Sequence, residues 1–480
     1  VPGGRDPVFD YVDDILTTLD IADDVVLVDR ALELATELGK GLVVLEGLRC
    51  GYPWASDRLH AFVLAGMADN AEAFRNSAVR YYPYVEPEAG AGSGLLVALA
   101  GSACVVVGDD YPTYFLPRML AAAGEKLPCR LELVDSNGLL PASRVPRAFP
   151  TAYSFRRFVQ LELGQHLREL PRAEPLTRVE LPKVRLSREL QERWPAADER
   201  LLAAEPGALA RLPIDHDVQV AELRGGAVAG RRRMTQFIKN RLASYDDDRN
   251  HPDEVGATSG LSPYLHFGHV ASAEVFVALM RAERWSTDVF PTRRDGRRGG
   301  WGVSPSAEAW LDQLVTWREV GFARCWNDET HASYEGLPGW ARETLEEHES
   351  DPRWPIYTLE EFEAAATHDA LWNAAQRQLL HEGVLHNYLR MLWGKKILEW
   401  SETPREALAT MLELNDRFAL DGRDPNSYCG ITWVMGSYDR AWGPVRPVFG
   451  KVRYMSSENA ARKLRLDRYL ERHGERRSTS

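Results

Sequence analysis

The strand signal stops at about Arg231. Before it, short runs rich in Val, Leu and Tyr alternate with helical stretches; after it, to residue 480, apolar residues recur only at helical spacing. A chain with that break is not one uniform architecture. GLVVLEGL (41–48), AVRYYPYV (78–85), ACVVVGDD (103–110) and RLELVDSN (130–137) read as strands. Helical stretches run from Asp29 to Gly39 and around 56–74, 94–101 and 113–123. Strand and helix alternating at this spacing specify a doubly wound parallel α/β sheet. From 138 to 230 strand signals thin out, and Pro146, Pro150, Pro171, Pro175, Pro182 and Pro195 punctuate a partly helical connection. The chain is also too long for one simple core. We therefore expect an N-terminal α/β domain over 1–140, an interdomain linker over 141–230 and an all-α domain over 231–480.

Charge and cysteine usage narrow the class. The formal net charge of −12 counts against a protein that coats nucleic acid non-specifically. Two stretches are nevertheless basic: Arg293, Arg294, Arg297 and Arg298 in one loop, and the tail from Lys451 to Arg477. Such runs are usually solvated surface; a DNA-facing rim is the other reading. Cys50, Cys104, Cys129, Cys325 and Cys429 have no paired spacing, which argues for a reducing compartment and against a disulfide framework or metal site. No apolar run approaches 18 residues, and the first residues are acidic rather than basic and then apolar. We expect no membrane span, no signal peptide and a cytoplasmic protein.

The chemistry concentrates between Leu371 and Trp433. Trp372, Trp393 and Trp400 lie on helical sequence, and Trp393 and Trp400 are seven residues apart. Two turns, about 10.5 Å of rise, put those two on one helix face. A loop dense in Asp, Gly, Asn and Pro follows and leads to Trp433. An aromatic stripe is more often core packing, but a polar loop between aromatic segments suits a flat ligand with polar edges. Earlier, Thr258, Ser259, Gly260, Leu261 and Ser262 make a small, hydroxyl-rich turn before a helix begun by Pro263. Backbone N–H groups at a helix N-terminus form an anion cradle that a pyrophosphate would fit; an ordinary helix cap is the plain reading.

Several runs together resemble the C-terminal half of class II cyclobutane-pyrimidine-dimer DNA photolyases. They are LWNAAQ, R-M-x-W-x-K-K-I-L-E-W at 390–400, LND at 414–416, DGRDPN at 421–426 and FGKVRYM at 449–455; TSGLSPYLHFG from Thr258 resembles a signature that photolyases of several classes carry. The resemblance implies an FAD whose reduced, anionic form is active. It implies FAD ligands at Tyr245, Thr258, Ser259, Gly260, Leu261 and Ser262, with an Arg390–Asp421 ion pair and Asp424 beside the flavin and Asn415 near its N5. It implies a tryptophan relay ordered Trp393, Trp372, Trp400 from flavin to solvent. Glu319, in a run resembling the family's R-E helix, would hydrogen-bond the lesion; Met391 and Trp433 would wall its pocket; Arg249 and Arg453 would meet phosphates. The second aromatic wall is not assigned, because Ala323 occupies the next turn after Glu319. The implied substrate is double-stranded DNA carrying pyrimidine dimers, the implied enzyme a monomeric carbon–carbon lyase, nucleoid-associated when on DNA. An antenna chromophore is not readable. Photolyase-like chains open on a strand running into the first helix; here DDVVLVD (23–29) is the run available to replace it. A cryptochrome-type photoreceptor on the same scaffold, or a flavoprotein without repair activity, are the alternatives.

Overall fold

The computed structural model describes residues 24–475 except 169, 173, 178 and 287–293. Arg293 and the end of the basic tail therefore lie outside the described residues. Helix α1 (Asp24–Leu38) opens the description. The run expected to replace the first strand is therefore helical from Asp24 onward. Its buried residues explain why: Leu27, Val28, Ala31, Leu32 and Ala35 recur at helical spacing, and a strand would send half of them to the opposite face.

Strands β1 (Val43–Leu48) and β2 (Arg80–Val85) pair in parallel across helix α2 (Asp57–Phe74). Strands β3 (Val105–Asp109) and β4 (Arg130–Val134) do the same across α4 (Leu116–Lys126), with α3 (Leu95–Ala100) between β2 and β3. Each pair is a strand–helix–strand unit, as the alternation required. Ser56 caps α2 by accepting from Leu59 N–H, which satisfies one of the amides a helix start leaves orphaned. Val28, Leu32, Phe74 and Val79 form a buried cluster under α1; each such side chain contributes about 1.5–3 kcal/mol of burial. Among the described residues the two pairs are separate two-stranded sheets. A cavity of about 1260 Å³ has both Val43–Glu46 and Val105–Val107 in its wall, together with Leu27, Val28 and Ala31 of α1. None of the residues assigned chemistry above lines it.

Contact density divides the chain into two compact units. One comprises the chain to Pro141, Glu169–Met234 and Leu261–Val275; the other comprises Ala142–Arg168, Thr235–Gly260 and the chain from Phe276. The second unit is helical. It contains α5 (Ala152–His166), α6 (Tyr245–Asp248), α7 (Arg318–Asn327), α8 (Ala370–Glu382), α9 (Asn387–Trp400), α10 (Pro404–Phe418) and α11 (Pro425–Val434). Caps mark several of its helix starts. Asp369 accepts from Leu371 N–H and Trp372 N–H to begin α8, and Thr403 and Glu406 form a reciprocal capping box on α10. No helix among the described residues is long and apolar enough to cross a membrane.

Candidate functional site

The three tryptophans of α8 and α9 are all buried. Trp372 stacks on Trp393 with ring centroids 6.5 Å apart and planes 4° from parallel, and meets Trp400 edge-on at 6.1 Å. Trp372 thus lies between the two residues that share a face of α9. Its Nε1 donates to the Trp393 carbonyl at 3.0 Å, and Trp393 Nε1 donates to Gln376 Oε1 at 2.8 Å. Trp400 is not itself at the surface. It is covered by Tyr357 at 5.6 Å and by the exposed His368 at 4.9 Å.

On α9, one turn before Trp393, Arg390 Nη2 donates to Asp421 Oδ1 at 2.8 Å; both side chains are largely buried. Asn415, in the last turn of α10, is buried and is not a cap. Asp424 is one: it begins α11 by accepting from Asn426 N–H at 2.7 Å. Helix α7 approaches the start of α11 so closely that a Cβ on Gly321 would sit 2.7 Å from the Pro425 carbonyl. That contact requires glycine, and it brings the helix of Glu319 against Pro425 and Asn426, which directly follow the Asp421–Asp424 turn. Glu319 is buried, and a π-helical turn (Asp312–Trp317) leads into its helix, a distortion frequent at functional sites. Ala323 is fully buried beside Glu319's helix turn. Met391 Cε comes within 3.9 Å of a Cβ placed on Gly430 of α11.

Tyr245 is buried in α6, edge-on to Phe237 at 5.6 Å. The Arg249 guanidinium lies 5.6 Å from the Tyr245 ring, and the Arg249 carbonyl meets His386 Nε2, at the start of α9, at 3.1 Å. Arg249 is therefore half-buried against Tyr245 rather than extended. Arg249 Nε and His386 Nδ1 are buried with no partner among the described residues. Unpaired buried polar atoms are costly: Arg249 Nε is a donor that an anionic oxygen would satisfy, whereas His386 Nδ1, whose ring hydrogen sits on the Nε2 facing the Arg249 carbonyl, is an acceptor that a hydroxyl would satisfy. Burial lowers the His386 pKa to about 4, so its ring is neutral at pH 7. Thr258, Ser259 and Gly260 are half-buried, Leu261 is buried and Ser262 is exposed. Gly260 has φ of 61°, and no side chain caps the five-residue helix Ser262–His266. Along the chain, the division between the two compact units falls between Gly260 and Leu261.

Trp433 on α11 is flanked by two cations: Lys395 Nζ at 5.3 Å and the Arg453 guanidinium at 5.8 Å. Arg453 is exposed and also lies 4.7 Å from the Trp442 ring. Lys395 is 1 % exposed and donates to the Val434 carbonyl at 2.6 Å. Nothing local in the sequence marks it, because the carbonyl it donates to lies 39 residues further along the chain. Burial lowers its pKa to about 7, with Asp439 pulling upward and Arg453 pushing down. Between pH 7 and about 10 the unfolded chain keeps a proton on this lysine that the folded chain releases. Stability should therefore rise with pH across that window. Lys395→Met should flatten the rise and, at pH 7, raise the thermal midpoint, net of the cost of leaving the Val434 carbonyl unpaired. Thermal unfolding across pH 6–10 checks both. Among the described residues no His, Cys, Asp and Glu cluster could hold a metal.

Solved structures share this fold. A class III photolyase from Agrobacterium tumefaciens aligns with TM-score 0.67 at 16 % identity, covering 94 % of this chain and 84 % of that one. A Synechocystis cryptochrome aligns with TM-score 0.67 at 14 % identity, covering 92 % and 84 %. At those identities the likeness establishes the fold: an N-terminal α/β domain and a helical C-terminal domain, that of photolyases and cryptochromes. Sequence relatives go further. The deoxyribodipyrimidine photo-lyase of Methanothermobacter thermautotrophicus is 31 % identical over 444 residues, 92 % of this chain and 90 % of its own. Enzymes of the same name from Oryza sativa (43 % over 236 residues) and Potorous tridactylus (38 % over 267) match 49 % and 54 % of this chain, and 43 % and 47 % of their own lengths. No protein-family model matches. The chain belongs to the deoxyribodipyrimidine photo-lyase family.

Proposed function

We propose that the chain is a class II-like photolyase that uses blue light to split cyclobutane pyrimidine dimers in double-stranded DNA. The observation that carries the reading is the run of buried indoles, Trp393–Trp372–Trp400, on the helix pair that also presents Arg390. Core packing asks for apolar volume; it does not ask for three indoles in edge and stacking contact beside a largely buried ion pair. Bound FAD, in its reduced form, would supply one electron to the dimer on absorbing light and take it back after the ring opens. The residues present fit it. The Arg390–Asp421 pair and Asp424 offer polar edges to a flat ring, while beside Tyr245 the unpartnered donor Arg249 Nε suits a charged oxygen and the unpartnered acceptor His386 Nδ1 suits a hydroxyl of the same chain. The 258–262 turn would hold its diphosphate.

The dimer leaves the duplex to reach the site, at a cost of a few kcal/mol that is smaller for a damaged pair. Met391 and Trp433 wall the pocket in this reading, and Glu319, buried on α7, hydrogen-bonds the flipped pyrimidine. Arg453, exposed beside Trp433, meets a phosphate. Arg453→Ala should then weaken binding to damaged and undamaged duplex alike and make the slope of log affinity against log salt shallower by about 1. Titration at four salt concentrations checks it, and an unchanged slope would remove Arg453 from the phosphate rim. The function itself is tested by an absorption spectrum of the purified protein, followed by illumination with a dimer-bearing oligonucleotide. Flavin with restoration of the pyrimidines supports repair; flavin without restoration points to a photoreceptor on this scaffold.

A further inference from the structure

Asn415 offers only one kind of hydrogen bond to a ligand, and its neighbours are the reason. Its Nδ2 donates to Asp416 Oδ1 at 2.9 Å and to Ser427 Oγ at 2.8 Å. An amide carries two N–H donors and one acceptor oxygen, so both donors are committed within the protein. The amide cannot be turned end for end without setting its oxygen against a carboxylate that only accepts. Asp416 is 1 % exposed and is held from three further directions. Its Oδ1 accepts from Arg423 N–H at 2.9 Å, its Oδ2 accepts from Tyr428 OH at 3.2 Å, and its carbonyl accepts from the Arg423 guanidinium. Burial pushes the Asp416 pKa up, opposed by Arg423, Asn415 and Tyr428; the two carboxyl oxygens accept from all three donors. The backbone around it is committed too. Arg423 has φ of 62°, a region a non-glycine residue enters only when its surroundings hold it there. A Cβ on Gly422 would come within 2.7 Å of the Asn415 carbonyl, so the turn lies directly on the residues it fixes.

We propose that Asp416 and Ser427 are positioning residues that fix Asn415 as a hydrogen-bond acceptor, so that the site favours a flavin carrying hydrogen on the ring nitrogen Asn415 faces. This rests on the reading above that Asn415 faces the flavin ring. A ring N–H pointed at the Asn415 oxygen gains a bond, whereas a bare ring nitrogen meets a second lone pair and is repelled. The arrangement selects a protonation state by geometry, and the groups that face Asp416 while doing so are Arg423, Tyr428 and, behind Tyr428, His331 at 5.4 Å.

The test uses FAD-loaded Ser427→Ala and Asp416→Asn proteins, reduced by one electron, with the ring hydrogen titrated by absorption across pH. Both variants should retain FAD, and both should lose that hydrogen at a pH lower by up to about one unit, a tenfold change in its equilibrium. Ser427→Thr, which keeps a hydroxyl, should titrate as the unaltered protein does. If Asp416→Asn does not fold, the Ser427 pair decides alone. Folded, FAD-bearing Ser427→Ala that titrates like the unaltered protein, while Asn415→Ala is shifted, would overturn the proposal and leave the site reading intact. An FAD-bearing Asn415→Ala with no shift would overturn both, because Asn415 would then not face the ring.

Discussion

Asp421→Ala should purify nearly free of flavin. In the unaltered protein Arg390 is held by one 2.8 Å bond to Asp421, with both side chains shielded from water. Removing the carboxylate leaves a shielded guanidinium without its counter-charge, and breaking a buried pair from one side costs about 3–5 kcal/mol. The pair is not sealed, so the lower figure applies; about 3 kcal/mol is already more than a hundredfold in affinity. Two routes lead to the same loss. The guanidinium swings toward water and the polar edge for the ring goes with it, or the positive charge stays and the turn from Leu420 to Asp424 is no longer tied to α9. Arg390→Ala should be equally poor in flavin and comparably destabilised, because it leaves the Asp421 carboxylate, itself buried, without its counter-charge. The ratio of flavin to protein absorbance after purification, and again after incubation with excess FAD, measures the effect. A fully loaded Asp421→Ala protein would show that the pair lies elsewhere than at the flavin.

The architecture was legible where period alone determines structure. The four strands lie inside the runs read as strands, because each is a short run rich in Val, Leu or Tyr bounded by turn residues. Helix α1 was the exception at its start. Four consecutive apolar residues, Val25 to Val28, carry no period by themselves, and only the packing of Leu27, Val28, Ala31 and Leu32 reveals the helix. Within the site, motif order indicated which residues matter but not how they touch. That Trp372 falls between Trp393 and Trp400 depends on how α8 crosses α9, which no local pattern records. Lys395 was hidden for the same reason: its partners, Trp433 and the Val434 carbonyl, are nearly forty residues away. An asparagine amide can accept or donate, and only the bonds of Asn415 to Asp416 and Ser427 remove the choice. The segment Leu261–Val275, helical like its surroundings, belongs to the first compact unit, a membership that periodicity does not encode.

Trp393→Phe should bind FAD, fold, and lose most light-driven reduction of that flavin in the presence of an external reductant. The indole rings run in contact, 6.5 Å and then 6.1 Å between centroids, and each of the first two is prepared to bear a positive charge. Trp393 and Trp372 give their ring N–H groups to a side-chain amide oxygen and to a carbonyl, and a hydrogen bond strengthens when its donor becomes charged. Phenylalanine keeps the apolar volume but has neither the N–H nor an easily oxidised ring. The structural cost is separate and modest: Gln376 Oε1 loses its donor, worth about 1–3 kcal/mol, and the thermal midpoint should fall accordingly. If the three rings serve only as core, that fall is the whole effect, and photoreduction proceeds at its usual rate. If they form a relay, photoreduction fails while the same protein, reduced chemically with dithionite, still repairs dimers under light, since electron transfer from flavin to lesion does not pass through Trp393. Trp372→Phe should reproduce the split, because Trp372 is the ring in contact with both others. Trp400→Phe should be the mildest of the three, as the last indole before Tyr357 and the exposed His368. Normal photoreduction in both Trp393→Phe and Trp372→Phe would return the row to core packing.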